Sequence, residues 1–137
     1  MKRLFVLMML MVSLGISAEA QTIRNSNNST LATVSSDGTI RNSYNSVIAR
    51  ISSNGDIRDS NNHLIGRLDG STLRNSNNST LGYINNDGSV RSSSNSLLGT
   101  IDRNGTIRDS NNHTIGYAQG VPMRYAAVYF FFNLLPR

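Results

Sequence analysis

The chain has no cysteine and no tryptophan, and only two prolines and four phenylalanines among 137 residues. The missing cysteine excludes a disulfide framework, a thiol nucleophile and a thiolate metal site. Lysine and glutamate are almost missing too, since Lys2 and Glu19 are the sole examples. Aromatics at 7% and hydrophobics at 38% are too few for a large conventional core, and this length allows one compact domain. What the chain has instead is 20 serines and 18 asparagines.

The first segment differs from the rest. Lys2 and Arg3 precede an apolar run from Leu4 to Ile16, and Ala18-Glu19-Ala20 follows. This three-part pattern predicts a secretory signal over residues 1–20, cut after Ala20. A membrane-spanning helix needs about 20 apolar residues, more than this run supplies. With no cysteine after the run, a lipid anchor of the bacterial lipoprotein type is excluded. The expectation is therefore an exported chain, periplasmic or extracellular, that begins at Gln21. It would carry 11 Arg and 7 Asp, a net +4, with no lysine or glutamate. Such a chain lacks the usual helix-surface residues, and its Ser, Asn, Gly, Thr and Ile favour strands and turns.

The remainder is a repeat. Residues 22–31 (TIRNSNNSTL) return as 72–81 (TLRNSNNSTL), and 57–63 (IRDSNNH) return unchanged as 107–113, both at an offset of 50. Each 50 holds three units of 15 to 17 residues, beginning near Thr22, Thr39, Asp56, Thr72, Ser89 and Thr106. Three apolar columns recur. The first is Ile23, Ile40, Ile57, Leu73, Val90 and Ile107, and continues to Met123. The second is Leu31, Ile48, Ile65, Leu81, Leu98 and Ile115, each followed by Ala or Gly. The third is Val34, Ile51, Leu68, Ile84, Ile101 and Ala118. Short apolar runs bounded by Gly and Asn read as strands of about five residues.

The turns set the register. Asp37-Gly38, Asn54-Gly55, Asp87-Gly88 and Asn104-Gly105 suit three-residue hairpin loops with glycine in the left-handed region. Such a loop puts Val34 opposite Ile40 and keeps one face apolar, whereas a two-residue loop would mix the faces. At Asp69-Gly70 a four-residue loop restores Leu68 opposite Leu73. Gln119-Gly120 is read as a sixth, weaker hairpin with Ala118 opposite Met123. The other strand ends, such as Asn25 to Ser29, are Asn/Ser turns. About twelve short antiparallel strands result, which must curl or close to hide their edges. A solenoid with one unit per coil is the alternative. The strands are too short to cross a bilayer, which takes about nine to eleven residues each.

The tail from Tyr125 to Arg137 breaks the pattern and carries three of the four phenylalanines. As a helix its apolar residues 125–135 match the height of five-residue strands, roughly 16 Å. The reading is a plug that fills a central hole in residues 125–137, behind a hairpin domain over 21–124; an edge strand or an exposed sticky tail are the alternatives. The fold class is thus all-β, a shallow symmetric barrel or ring of short antiparallel hairpins with an apolar C-terminal segment in its centre.

No catalytic constellation emerges, so neither enzyme activity nor cofactor nor metal is expected. His63 and His113 occupy equivalent Asn-Asn-His turns and read as solvated turn residues on opposite sides of a ring. Asp59-Ser60-Asn61 and Asp109-Ser110-Asn111 lack the rest of a calcium loop. One feature stands above background. Arg24, Arg41, Arg58, Arg74, Arg91, Arg108 and Arg124 each follow a first-column apolar residue, so they face outward. The register puts them opposite Thr33, Arg50, Arg67, Tyr83, Thr100 and Tyr117. Two of these pairs are Arg against Arg, which costs up to about 1 kcal/mol each unless Asp56, Asp59 and Asp69 offset it or an anion binds. The candidate anion-binding residues are Arg41, Arg50, Arg58, Arg67, Arg74, Arg91 and Arg108. A solvated face that discourages aggregation is the competing account. The expected partner of an exported chain is an envelope protein or an anionic lipid or glycan surface, and not nucleic acid.

The hairpin repeat with Ile-Arg-[Asn/Asp]-Ser, a glycine turn, [Leu/Ile]-Gly, and the ending AAVYFFF resembles the five-fold beta-flower family of bacterial proteins over about Thr22 to Phe132. The resemblance implies a shallow ring of hairpins in cell-envelope proteins, with the Asp/Asn-Gly hairpins as petals. It implies no activity and no functional residues. On this basis the chain is expected to be a structural or interaction module, with anionic-ligand binding through the Arg face as the alternative.

Overall fold

A computed structural model describes residues 21–136. The expected signal segment, residues 1–20, lies outside the described residues. Twelve strands follow one another: β1 (Gln21–Asn25), β2 (Thr30–Val34), β3 (Thr39–Asn42), β4 (Val47–Ile51), β5 (Asp56–Asp59), β6 (Leu64–Asp69), β7 (Thr72–Asn75), β8 (Thr80–Ile84), β9 (Ser89–Ser92), β10 (Leu97–Ile101), β11 (Thr106–Asp109) and β12 (Thr114–Tyr117). Each pairs antiparallel with its neighbours, and β1 pairs with β12, so the sheet closes into a barrel without an edge. The paired neighbours Val34–Ile40 and Ile51–Ile57 exclude a solenoid.

The register is the one expected from the apolar columns. Val34 faces Ile40, Ile51 faces Ile57, Leu68 faces Leu73, Ile84 faces Val90 and Ile101 faces Ile107. The six first-column residues on strands and all third-column residues are buried, and Met123 is half-buried. The second column needed a device the repeat pattern does not announce. Leu31 lies three residues before Val34, so simple alternation would turn it outward. In every unit the ladder skips that residue: Ile23 pairs with Ala32 and Arg24 with Thr30, leaving Leu31 as a bulge. The same step recurs at Ile48, Ile65, Leu81, Leu98 and Ile115. A bulge re-aims a side chain and deepens twist, and all six residues pack on the core.

Both ends of the barrel use the same three-residue loop, with different residues in the left-handed position. At one end Gly38 has φ of +88°, its N–H donates to the Ser35 carbonyl, and its own carbonyl accepts from Ile51 N–H of the next hairpin. A Cβ there would lie 2.0 Å from the Ile51 oxygen, so only glycine fits. At the other end the position is asparagine, in Asn28, Asn45, Asn62, Asn78, Asn95 and Asn112, all with φ of 67–70°. These tips are exposed and the Cβ has room. The side chain that opens each Asn loop accepts from the backbone ahead of it, as Asn25 Oδ1 does from Asn27 and Ser29 N–H at 2.9 Å. The β6–β7 connection extends its ladder to Asp69–Thr72, tightening the expected four-residue loop around Gly70 and Ser71.

The sixth junction differs from expectation. Gln119 and Gly120 do not close a hairpin, and Ala118 does not face Met123. The chain instead turns at Pro122 into α1 (Met123–Phe131). The strand that completes the last petal is β1, so Tyr117 faces Arg24 and not Arg124. Five petals are continuous glycine-turn hairpins and a sixth is assembled from the two ends of the barrel. A hairpin at 119–120 would leave β1 an open edge and place the tail's aromatics in water.

The tail is the expected plug, and it is helical. α1 enters at the glycine-turn mouth, where Arg124 donates to the Gly70 carbonyl. Ala126, Ala127, Val128 and Tyr129 are buried along it, and Phe132 and Leu135 follow at the far end. The small residues after the second column receive its side chains. A Cβ on Gly116 would meet the Phe130 ring at 2.5 Å, on Gly99 the Phe131 ring at 2.5 Å, on Gly82 the Phe132 ring at 2.6 Å, and on Gly66 the Leu134 methyl at 2.7 Å. Four tail positions between Phe130 and Leu134 therefore radiate to four successive petals. The remaining two units, which carry Ala32 and Ala49, fill that space with their own methyl groups.

Candidate functional site

The lumen is occupied by the chain's own apolar side chains, so the candidate site is the outside of the barrel. The seven candidate arginines, Arg41, Arg50, Arg58, Arg67, Arg74, Arg91 and Arg108, all lie on strands. The structure divides them into two kinds.

The column arginines are half-buried and tethered. Arg24, Arg58, Arg74 and Arg91 each fold back along the hairpin and donate from a terminal nitrogen to the carbonyl of their own left-handed asparagine. These bonds reach Asn28, Asn62, Asn78 and Asn95 at 3.2–3.4 Å. Arg41 donates to Ser35 Oγ at 3.3 Å, and Arg108 pairs with Asp102 at 3.5 Å. A residue repeated in every unit, used in four of them to hold the Asn turn and in two to meet the residue that opens a glycine turn, is architecture. The signal was in the sequence: the four-residue spacing from Arg to Asn is constant along the chain.

Arg50 and Arg67 are different. They are the residues opposite the column arginines in the β4–β5 and β6–β7 hairpins, where the other petals carry Thr33, Tyr83, Thr100 and Tyr117. Both are exposed. Arg50 faces Arg58 directly, and Arg67 faces Arg74. Asp56 partly compensates, accepting from Arg67 Nε at 3.0 Å and lying 3.5 Å from Arg58. Asp69 lies 3.8 Å from Arg74. Asp59, expected to help, pairs with His63 instead. The Arg50 side chain has no hydrogen bond or ion pair among the described residues, and the Arg67 guanidinium donates to Asp56 through Nε. Arginines at this spacing can present planar two-donor edges to phosphate, sulfate or carboxylate.

His63 and His113 sit on hairpins β5–β6 and β11–β12, on opposite sides of the ring, and each lies beside its own turn's aspartate. Among the described residues no group of three His, Cys, Asp or Glu could hold a metal ion. Asp59 and Asp109 serve as loop caps. Hydrogen bonds from the backbone N–H of His63 and Asn61, or of His113 and Asn111, hold their carboxyls below the ordinary value of 3.8. Backbone bonds from Thr39 and Ser89 do the same for Asp37 and Asp87. The folded state therefore binds these protons less readily than the unfolded chain. Their stabilisation is full above the ordinary value and is lost as pH falls through the lowered ones. Replacing Asp59 and Asp109 by Asn, the residue that caps the equivalent loops at Asn25 and Asn75, should flatten the loss of thermal stability below about pH 4. An unchanged acid limb would show that these caps do not carry it.

Tyr44, at 88% the most exposed large apolar side chain, occupies the tip of the β3–β4 hairpin, where the equivalent tips carry Asn27, Asn61, Asn77, Ser94 and Asn111. Sequence reasoning passed over it, although its break with the repeat was visible.

A family model described as 5-fold beta-flower protein matches residues 20–134. No curated protein and no solved structure matches the chain.

Proposed function

From its membership of the 5-fold beta-flower family, we propose that the chain is an exported, non-enzymatic structural or interaction module of the bacterial envelope. The observation that carries this reading is the filled lumen. The helix occupies the centre with Ala126, Ala127, Val128 and Tyr129, leaving contact with other molecules to the outer wall and the loop crowns. Repeated side chains on that wall serve the fold itself, as the turn-holding arginines do. A module of this kind needs no reactive group, and Asp59 and Asp109, beside the two histidines, cap their loops.

Export is tested by expressing the full chain with a C-terminal epitope in a bacterium and sequencing the N-terminus of the product. The expected product begins at Gln21 and fractionates with the periplasm or medium. A cytoplasmic product that keeps Met1 would overturn the proposal.

A second reading, binding of anionic ligands through the outer Arg face, is favoured by the two Arg–Arg pairs at Arg50–Arg58 and Arg67–Arg74. Like charges placed directly opposite each other are unfavourable in the free protein, and an anion bound between them would remove that cost.

A further inference from the structure

Resting on that second reading, we infer that Arg50 and Arg67 form a phosphate-binding patch that docks the β4–β7 flank of the barrel onto an anionic lipid surface. In a repeat protein, features present in every unit are explained by the fold, and departures from the repeat need another account. Arg50 and Arg67 are such departures. They replace threonine or tyrosine at the outward position in two neighbouring petals and nowhere else in the ring. They are exposed, whereas the column arginines beside them are half-buried and tied to their turns.

The geometry suits phosphates presented on a surface. Arg50 on β4 and Arg67 on β6 are separated by one strand and face Arg58 and Asp56 of β5, two residues apart, so their backbones lie about 12 Å apart on the sheet. Two guanidinium edges at that separation can each take a separate headgroup. The flank between them is the convex outside of a closed barrel. Clefts elsewhere on the molecule are lined by residues such as Asp87, Arg103 and Met123, or Tyr83 and Asn95, and include neither Arg50 nor Arg67. Tyr44 lies at the opposite crown, in the Asn42–Ser46 loop, whereas Arg50 faces Thr39 beside the Gly38 turn, so the patch itself is cationic and its attraction to an anionic lipid surface is electrostatic.

The test uses the chain from Gln21 onward and sedimentation with vesicles of phosphatidylcholine, with or without phosphatidylglycerol. Binding is expected only to the vesicles containing phosphatidylglycerol, and should weaken as salt is added. The double substitution Arg50→Thr with Arg67→Thr should weaken it about thirty-fold. Arg103→Thr removes an equally exposed charge outside the patch, and should weaken binding much less than Arg50→Thr alone. Equal effects of those two single variants would reduce the interaction to net charge and overturn the patch. Failure to bind these vesicles, with binding of soluble polyphosphate that the double variant abolishes, would overturn the lipid proposal and leave the anion reading standing. Failure to bind either probe would overturn both. Thermal unfolding of the double variant should show a nearly unchanged midpoint, since the relief of two like-charge pairs offsets the loss of the Arg67–Asp56 bond, and Asp56 keeps Arg58.

Discussion

A chain that stops at Gln119 should show no cooperative thermal transition and no dispersed amide spectrum. The barrel wall has no core of its own. Its first and third columns point at a lumen wide enough for a helix, and Val121, Val128, Phe132 and Leu135 fill that lumen and its mouths at 0–9% exposure. Burying four such side chains contributes roughly 6–12 kcal/mol, at about 1.5–3 kcal/mol each. The whole stability of a domain this size is about 5–15 kcal/mol. The tail is thus worth as much as the fold, and the wall residues it covers would lose their burial as well. A milder variant separates packing from folding: Phe132→Ala should keep the fold and lower its stability by about 3 kcal/mol. A truncated chain with an unchanged melting midpoint would overturn the account of the helix as the core.

The second large effect concerns the two kinds of loop. Gly38→Asn should destabilise the protein by about 2–3 kcal/mol, and Asn28→Gly should change it by no more than about 0.5 kcal/mol. Asparagine tolerates the left-handed region, as six loops of this chain demonstrate, so the backbone angle at Gly38 is not by itself forbidding to it. The obstacle is space, because a Cβ at Gly38 would overlap the Ile51 oxygen at 2.0 Å. Moving that strand would also break the Ile51 N–H to Gly38 carbonyl bond, 2.9 Å long, that stacks one petal on the next. Thermal denaturation of the two single variants decides the matter. Equal, small effects would mean that the glycine turns do not touch their neighbours in this way.

Much of the wall was legible because period-two burial and loop length leave one consistent register. Once Val34 must share a face with Ile40 and the loop between them holds three residues, the pairing of the first hairpin follows, and four more repeat it. The bulges were not legible. Leu31 next to Ala32 breaks alternation, and a chain read two residues at a time has no way to point both Leu31 and Val34 inward. The candidate site was half legible. The Arg–Arg pairs followed from the register, but which arginines are tied to their turns depends on how far a side chain reaches toward Asn28 or Asn62.

By itself, the sequence determined the repeat, the strand lengths, the face of the first- and third-column side chains and the apolar character of the tail, because these depend on contacts between residues close along the chain. Tertiary structure alone decided how the ring closes. Whether β12 turns back on a tail strand or meets β1 depends on residues nearly a hundred positions apart, Tyr117 and Arg24. That choice rests on the whole barrel: pairing β12 with β1 removes the last open edge and frees the tail to enter the lumen. There its aromatic side chains find the glycines that the repeat had kept small.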